Sequence, residues 1–277
     1  MKKIIGLMVV IALIAFAAGT ARAETYIEGY LGSNFSISSP NPIELDVNPL
    51  YRGPTKTVLE YPRTFSTALI GGLKLGTWFS REGFPHINYP DWMKYLGFNL
   101  DFSYNQFYFL EGIGSRRMTI IPSPGRTHYQ HYKFYGNGGI YSLGFMFAGR
   151  YGFFPTEKVP FGKLQPYVAA GPAIFITGMG PNLMFQPNGH YELFPTYYGI
   201  PRRFSTSYQS TVNLGLETEL GVRFMITRFL SIDSSVKYRY VRPSSTYEFS
   251  IDGFTHKLTF APQLNLFSIQ AGVAYHF

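Results

Sequence analysis

Residues Phe229–Val241 read FLSIDSSVKYRYV, a sustained alternation of apolar and polar side chains. Leu, Ile, Val and Tyr fall on one face of an extended chain, while Ser, Asp, Lys and Arg fall on the other. The preceding segment, Tyr208–Phe224, repeats this pattern, and only a few residues separate the two segments. The sequence therefore predicts a tight β-hairpin with one apolar face and one charged face.

Six further segments carry a similar two-residue period, which predicts eight strands in all. They lie near Tyr26–Phe35, Thr67–Phe79, Lys94–Phe107, Gly138–Tyr151, Leu164–Thr177 and Leu264–Phe277. The links after the second, fourth and sixth strands are shorter than those after the first, third, fifth and seventh. The longer links are Ser36–Ser66, Tyr108–Asn137, Gly178–Ser207 and Arg242–Gln263. An even strand count with short turns at one end and long loops at the other is typical of outer-membrane barrels.

We therefore expect residues 24–277 to form one all-β domain, an eight-stranded antiparallel up-and-down transmembrane β-barrel. A soluble sandwich or lipocalin-like barrel is the alternative, but its core would have to bury several full charges, each costly unless paired. A lipid-facing apolar side and a hydrated polar lumen remove that conflict. The composition agrees, since 18% of the residues are aromatic and only 14% are charged.

The N-terminal residues predict export. Lys2 and Lys3 precede the apolar run Ile4–Ala18, and Ala21-Arg22-Ala23 forms an A-x-A cleavage site. We expect residues 1–23 to be a signal peptide cleaved after Ala23, with an uncleaved anchor as the alternative. The chain has no cysteine, which excludes a lipoprotein, a disulfide scaffold and a cysteine-ligated metal site. The expected location is the cell outer membrane.

The C-terminus carries a short and more specific pattern. Gln270, Gly272, Tyr275 and the terminal Phe277 are spaced as polar, glycine, aromatic and aromatic along the last strand. This resembles the sorting signal that the barrel-assembly machinery recognises in bacterial outer-membrane proteins. An amphipathic strand with a terminal aromatic residue is suited to edge-to-edge pairing during insertion.

The chain resembles the small outer-membrane protein β-barrel family, which includes OmpA-like and OmpX-like barrels and the opacity proteins. The resemblance spans essentially the whole mature chain. It rests on the terminal Phe277 and on Tyr26–Phe35, Gly71–Gly76, Leu96–Tyr104, Leu164–Ala173 and Leu214–Phe224. It implies architecture and location, and it implies no particular activity.

The charges fall into separate groups once the faces are assigned. Loss of Lys2, Lys3 and Arg22 with the signal reduces the formal net charge from +8 to +5. Five acids and five bases are predicted to face the lumen: Glu28, Lys74, Asp101, Arg150, Glu217, Glu219, Arg223, Asp233, Lys237 and Arg239. Because an eight-stranded barrel has room inside only for side chains, we expect these charges to pair and plug it. Glu217, Glu219, Arg223, Lys237 and Arg239 should cluster, and an ion or proton path is the alternative.

The predicted loops hold the remaining functional candidates. Five arginines there are candidates for anion contact: Arg116, Arg117, Arg126, Arg202 and Arg203. Guanidinium groups bind phosphates well, so lipopolysaccharide and outer-membrane lipid are the expected partners. A merely solvated loop surface is the alternative, and the compartment argues against nucleic acid.

Catalytic and metal-binding signatures are weak. Lipid A 3-O-deacylases carry a His-x-Ser-Asn segment that none of the six histidines here begins. His128 and His131 form an H-x-x-H pair, but two ligands in a loop make a poor site, so no metal and no cofactor are expected. The sequence thus predicts a monomeric, non-enzymatic outer-membrane protein of structural or surface-interaction type. A narrow porin-like channel is the first alternative, and a lipid A-modifying enzyme is the second.

Overall fold

The computed structural model describes residues 24–36, 43–46, 56–59, 68–79, 90–119, 127–186, 202–205, 208–251 and 254–277. The predicted signal peptide and its cleavage site lie outside these residues. Eight long strands form the central element of the structure. They are β1 (Glu24–Ser36), β4 (Ala68–Trp78), β5 (Leu96–Thr119), β6 (Thr127–Arg150), β7 (Leu164–Gln186), β9 (Gln209–Met225), β10 (Leu230–Val241) and β13 (Leu264–His276).

These strands close into an antiparallel barrel. Each pairs with its neighbours in the order β1, β4, β5, β6, β7, β9, β10 and β13. The last strand, β13, pairs both with β10 and with β1, and the pairing of Tyr26 with His276 completes the closure. The predicted eight-stranded up-and-down barrel is confirmed, and the start of β1 and the end of β13 lie at the same end of it. We call this the terminal end and the opposite one the loop end.

Five short strands occupy stretches that the sequence assigns to loops. They are β2 (Ile43–Asp46), β3 (Lys56–Leu59), β8 (Arg202–Ser205), β11 (Ser245–Ile251) and β12 (Phe254–Phe260). In addition, β5, β6 and β7 reach 24, 24 and 23 residues and run well into the predicted loops 108–137 and 178–207. The prediction of loops there is wrong in part. Beyond the bilayer both faces of a strand meet water, so the apolar face that reveals a membrane strand is no longer required.

The described parts of the wall continue beyond the barrel as two sheets. Strands β11, β12, β2 and β3 form a separate four-stranded sheet in that order. The outer halves of β5, β6 and β7 stay paired with one another and with β8. Each sheet thus continues four consecutive strands of the barrel wall. The described residues at the loop end therefore form a β platform.

The barrel exterior is apolar. Leu69 and Leu214 are each 80% exposed, and Leu220, Val236 and Ile269 form an exposed row across β9, β10 and β13. An apolar surface of this extent is unfavourable in water and is what the lipid-facing band of a transmembrane barrel requires. A short 3₁₀-helix, Asp91–Tyr95, precedes β5. No helix in the described ranges is long and apolar enough to cross a membrane.

On the inner wall, tyrosine rings of β1 pack directly against glycines of β4. Tyr26 lies directly opposite Gly76, and Tyr30 lies opposite Gly72. A Cβ atom added at Gly76 would lie only 2.3 Å from the Tyr26 ring, and one at Gly72 only 2.4 Å from the Tyr30 ring. The missing side chains let both rings lie flat against the wall beside the lumen charges.

The lumen is apolar towards the loop end, which the sequence reasoning did not anticipate. Side chains that are at most 2% exposed fill this layer: Ile70, Phe107, Ile140, Phe175, Met179, Val241, Leu264 and Leu266. Tyr247 of β11 covers the layer, and its hydroxyl donates to the Met179 carbonyl at 3.0 Å. Burial raises the pKa of Tyr247 to about 12. An apolar layer thus closes the barrel above the charges.

Candidate functional site: the charged lumen

All ten charged residues assigned to the lumen lie buried inside the barrel. Their exposed fractions are 6% or less, and Glu28, Asp101, Glu217, Lys237 and Arg239 are fully enclosed. The two-residue period sends them inward while Leu220, Val222 and Ile232 on the same strands face outward. Buried charges in such numbers must be paired, so the pairing pattern defines the site.

The β9–β10 hairpin places opposite charges side by side. Arg223 lies opposite Asp233, and Lys237 lies opposite Glu219. The Arg223 Nε atom is 3.2 Å from an Asp233 oxygen, and the Lys237 Nζ atom is 3.7 Å from a Glu219 oxygen. The hairpin alone therefore forms two of the ion pairs.

Other pairs cross the lumen to strands far away in sequence. Lys74 donates to Glu28 at 3.0 Å and to Glu219 at 2.6 Å. Arg223 donates to the second oxygen of Glu28 at 2.5 Å, and its guanidinium lies 4.1 Å from the centre of the Tyr26 ring. Strands β1, β4 and β9 are thus linked through charge-assisted hydrogen bonds, which are about twice as strong as neutral ones.

Tyr30 joins the network at its other side. Lys237 donates to Asp101 and, at 3.1 Å, to the Tyr30 hydroxyl. That hydroxyl in turn donates to the other Asp101 oxygen at 2.6 Å. The Asp101 carboxylate therefore holds a lysine and a phenol from two other strands.

Glu217 and Arg239 lie opposite each other on β9 and β10 but bind differently from the other pairs. Arg239 donates to neutral side chains, namely Ser103 at 3.2 Å, Asn105 at 3.0 Å and Asn34 at 2.9 Å. Neither oxygen of Glu217 has a hydrogen-bond partner among the described residues. The expected cluster thus includes both charges as neighbours, without a direct hydrogen bond between them.

Arg150 lies apart from the central network, unlike the prediction. It makes a bidentate pair with Glu24 at 2.5 and 2.9 Å, at the terminal end. Its guanidinium lies 4.2 Å from the Trp78 ring and 4.0 Å from the Phe161 ring. Glu24 is not among the ten charges predicted to face the lumen, and the structure adds it as the partner of Arg150. A cavity of about 270 Å³ opens beside this group.

Ser231, His276 and Glu24 form a second arrangement that the sequence did not reveal. The Ser231 hydroxyl is 2.8 Å from His276 Nε2, and His276 Nδ1 is 3.4 Å from a Glu24 oxygen. These contacts resemble the order of a hydrolytic triad. However, Ser231 is 0% exposed, and a nucleophile must be reached by its substrate. The arrangement ties together the ends of β1, β10 and β13.

The candidate anion-binding arginines are described only in part. Arg126 lies outside the described residues. The backbone places Arg116 and Arg117 on β5 and Arg202 and Arg203 on β8, within one continuous sheet, but their side chains are outside the described set. The same holds for His128 and His131 on β6. In the described part of the chain, no group of three or more potential metal ligands occurs.

The proposed assembly signal lies on the strand that closes the barrel. Gln270 and Gly272 are buried, whereas Tyr275 and Phe277 are 48% and 69% exposed on the exterior. Their rings contact each other at 5.1 Å, and Tyr275 also stacks on Phe229 at 6.2 Å. These residues form an aromatic cluster at the terminal end of the exterior.

Solved structures with a similar architecture are outer-membrane proteins. The outer membrane protein OprG from Pseudomonas aeruginosa is 11% identical, with 93% of this chain and 97% of that chain covered and a TM-score of 0.48. Neisserial surface protein A is also 11% identical, with 91% and 97% covered and a TM-score of 0.37. The outer membrane protease OmpT from Escherichia coli is 11% identical, with 92% and 97% covered and a TM-score of 0.31. No family model matches the sequence, and no curated protein matches it significantly. These likenesses concern architecture alone.

Proposed function

We propose that the protein is a non-enzymatic barrel of the cell outer membrane, of structural or surface-interaction type, with a sealed lumen. One observation carries this proposal, namely that side chains fill the lumen in two successive layers. The central layer is the charge network, in which Glu28, Lys237 and Arg239 are fully buried. The layer towards the loop end is apolar, with Phe175 and Ile140 at 0% exposure.

Such a lumen offers no continuous hydrated path. An ion would have to break buried pairs and then cross an apolar layer, and each step costs several kcal/mol. The expected signal peptide and assembly signal support the outer-membrane location. In this proposal the barrel-assembly machinery binds Gln270, Gly272, Tyr275 and Phe277 during insertion, and the folded protein is a monomer. The β platform at the loop end would then be the functional surface.

Recording in planar lipid bilayers tests the sealed lumen. We expect the purified barrel to insert without stable conductance steps. The variant Phe107→Ala/Phe175→Ala removes two large side chains from the apolar layer and, because the charge network remains, should also insert without stable steps. Stable, large single-channel conductance of the unmodified protein would contradict the proposal and favour the narrow channel.

We propose that an anionic partner binds one outer face of the sheet that β5, β6, β7 and β8 form, and the strand register supports this choice. Arg203 lies opposite Met184, which in turn lies opposite Lys133, so all three share one face of the sheet. Lys133 lies eight residues before Tyr141 on β6, and an even spacing puts both positions on the same face of the strand. Tyr141 is exposed on the exterior. Arg117, opposite Tyr129, belongs to this outer face too. Three basic residues at register positions of one outer face suit the phosphates of lipopolysaccharide.

Two matched double variants test the proposed binding of lipopolysaccharide to this face. Arg117→Ser/Arg203→Ser removes charge from the outer face, whereas Arg116→Ser/Arg202→Ser removes the same charge from the opposite face. We expect the first to weaken binding to immobilised lipopolysaccharide by about tenfold or more, since each hydrogen bond to a charged group contributes roughly 1.5–3 kcal/mol. The second should change binding little. Equal effects of the two variants would contradict a face-specific contact.

A further inference from the structure

The ion-paired part of the lumen network holds one acid more than it holds bases. Its members are linked by direct ion pairs: Glu28, Asp101, Glu219 and Asp233 with Lys74, Arg223 and Lys237. Their side chains are at most 3% exposed. Glu217 and Arg239 lie opposite each other and add one acid and one base, and Arg150 pairs with Glu24, so these residues leave the excess unchanged. With every group ionised, this enclosed group would carry one uncompensated negative charge.

The contacts of Tyr167 show which carboxyl groups can hold a proton that neutralises this charge. Its hydroxyl oxygen lies 2.7 Å from Glu219 Oε1 and 2.7 Å from Asp233 Oδ1. A phenol has a single proton to donate, and an ionised carboxylate has none. The phenol can therefore satisfy one carboxylate only. The second short contact requires that the other carboxyl group be protonated and donate to the phenol oxygen.

The surrounding cations distinguish the two carboxyl groups. Glu219 has Lys74 at 2.6 Å and Lys237 at 3.7 Å. Asp233 has a single cation, with the Arg223 Nε atom at 3.2 Å. Two cations stabilise an ionised carboxylate better than one. The proton consequently belongs on Asp233.

We infer that the lumen contains a proton-binding site in which neutral Asp233 donates to Tyr167 and Tyr167 donates to ionised Glu219. The charge count and the phenol geometry are independent observations, and both require one additional proton. A metal cation does not fit between the two carboxyl groups, because the phenol oxygen occupies that position at hydrogen-bond distance from both.

The charged groups that face Asp233 come from several strands. Arg223 and Glu219 lie on β9, and Tyr167 lies on β7. Glu28 of β1 shares Arg223 with Asp233, and Lys74 of β4 binds Glu219. On its remaining side β13 places Gly272 opposite Asp233 and adds no charge there. If the proton moved to Glu219, Tyr167 would donate to Asp233 instead, so the three groups can relay a proton between the two carboxyl groups.

Infrared spectroscopy of the folded barrel in lipid at pH 7 tests this site. We expect a carbonyl band of a neutral carboxylic acid that disappears in Asp233→Asn. Glu248→Gln, which alters an exposed acid of β11 that pairs with Lys257 outside the lumen network, should keep that band. Persistence of the band in Asp233→Asn, or its absence from the unmodified protein, would overturn the assignment.

Unfolding equilibria of Asp233→Asn and Asp101→Asn provide a second readout. Asp233→Asn replaces a neutral acid by a neutral amide that can still donate to Tyr167, so we expect less than about a tenfold change in the unfolding constant. Asp101→Asn leaves a buried lysine short of its partner and should raise that constant by about 100-fold or more. An Asp233→Asn variant destabilised as strongly as Asp101→Asn would contradict the inference.

Discussion

Replacement of Arg223 by Met is expected to reduce the free energy of unfolding by about 3–5 kcal/mol, the range for removal of one partner from a buried ion pair. Arg223 binds Glu28 at 2.5 Å and Asp233 at 3.2 Å, and it stacks on Tyr26. Methionine keeps much of the side-chain length but supplies no charge. Glu28, which is 0% exposed, would then retain Lys74 as its ion-pair partner.

Urea unfolding of the barrel in lipid or detergent measures this effect. Arg228→Met is the matched control, because Arg228 is an exposed residue of the β9–β10 turn whose guanidinium lies 4.3 Å from the centre of the Phe229 ring. The control should change stability by no more than about 0.5 kcal/mol. A loss below about 1 kcal/mol for Arg223→Met would show that the lumen is hydrated enough to screen the pair.

Replacement of Leu220 by Arg is expected to destabilise the membrane-embedded barrel by about 2–4 kcal/mol, the range for a basic residue near the bilayer midplane. Leu220 is 66% exposed and lies on the same strand as Glu219, in the middle of the wall. In a water-soluble barrel the same exposed substitution would be nearly neutral. The variant therefore distinguishes a lipid-facing surface from a solvated one.

Ile226→Arg is the matched control for this experiment. Ile226 is also exposed and has the same parity, but it lies beyond the end of β9, next to the turn. Near the interface an arginine costs only about 0–1 kcal/mol. Equal effects at the two positions in lipid vesicles would contradict the proposed depth of the barrel.

The architecture follows closely from the sequence because each strand of a membrane barrel has one face towards lipid and the other towards the lumen. Lipid requires apolar residues on one face, and the lumen accepts polar residues on the other, so Leu230–Val241 shows an unbroken period. The predicted bounds of β1, β4, β9, β10 and β13 therefore lie within about three residues of the observed strands. That constraint disappears above the bilayer, which is why the sequence pattern does not predict β8, β11 or the outer half of β5 as strands.

The candidate site can be predicted from the sequence only in part. Alternation alone places Glu219 and Lys237 inside, and the hairpin register makes them neighbours. Pairs such as Lys74 with Glu219, 145 residues apart, depend on how the closed barrel aligns distant strands across the lumen. No local pattern encodes that alignment. The role of Tyr167 was likewise missed, because a tyrosine in a barrel strand is also typical of an interfacial belt.

Fluorescence quenching at Leu214 tests the central claim, that the apolar exterior faces lipid, most directly. The chain has no cysteine, so Leu214→Cys provides a single labelling site at a position that is 80% exposed. Arg228→Cys provides the solvent-exposed control. In vesicles, we expect brominated acyl chains to quench the label at position 214 and aqueous iodide to quench the label at position 228. Quenching of the label at position 214 by iodide, with no effect of brominated lipid, would contradict the account.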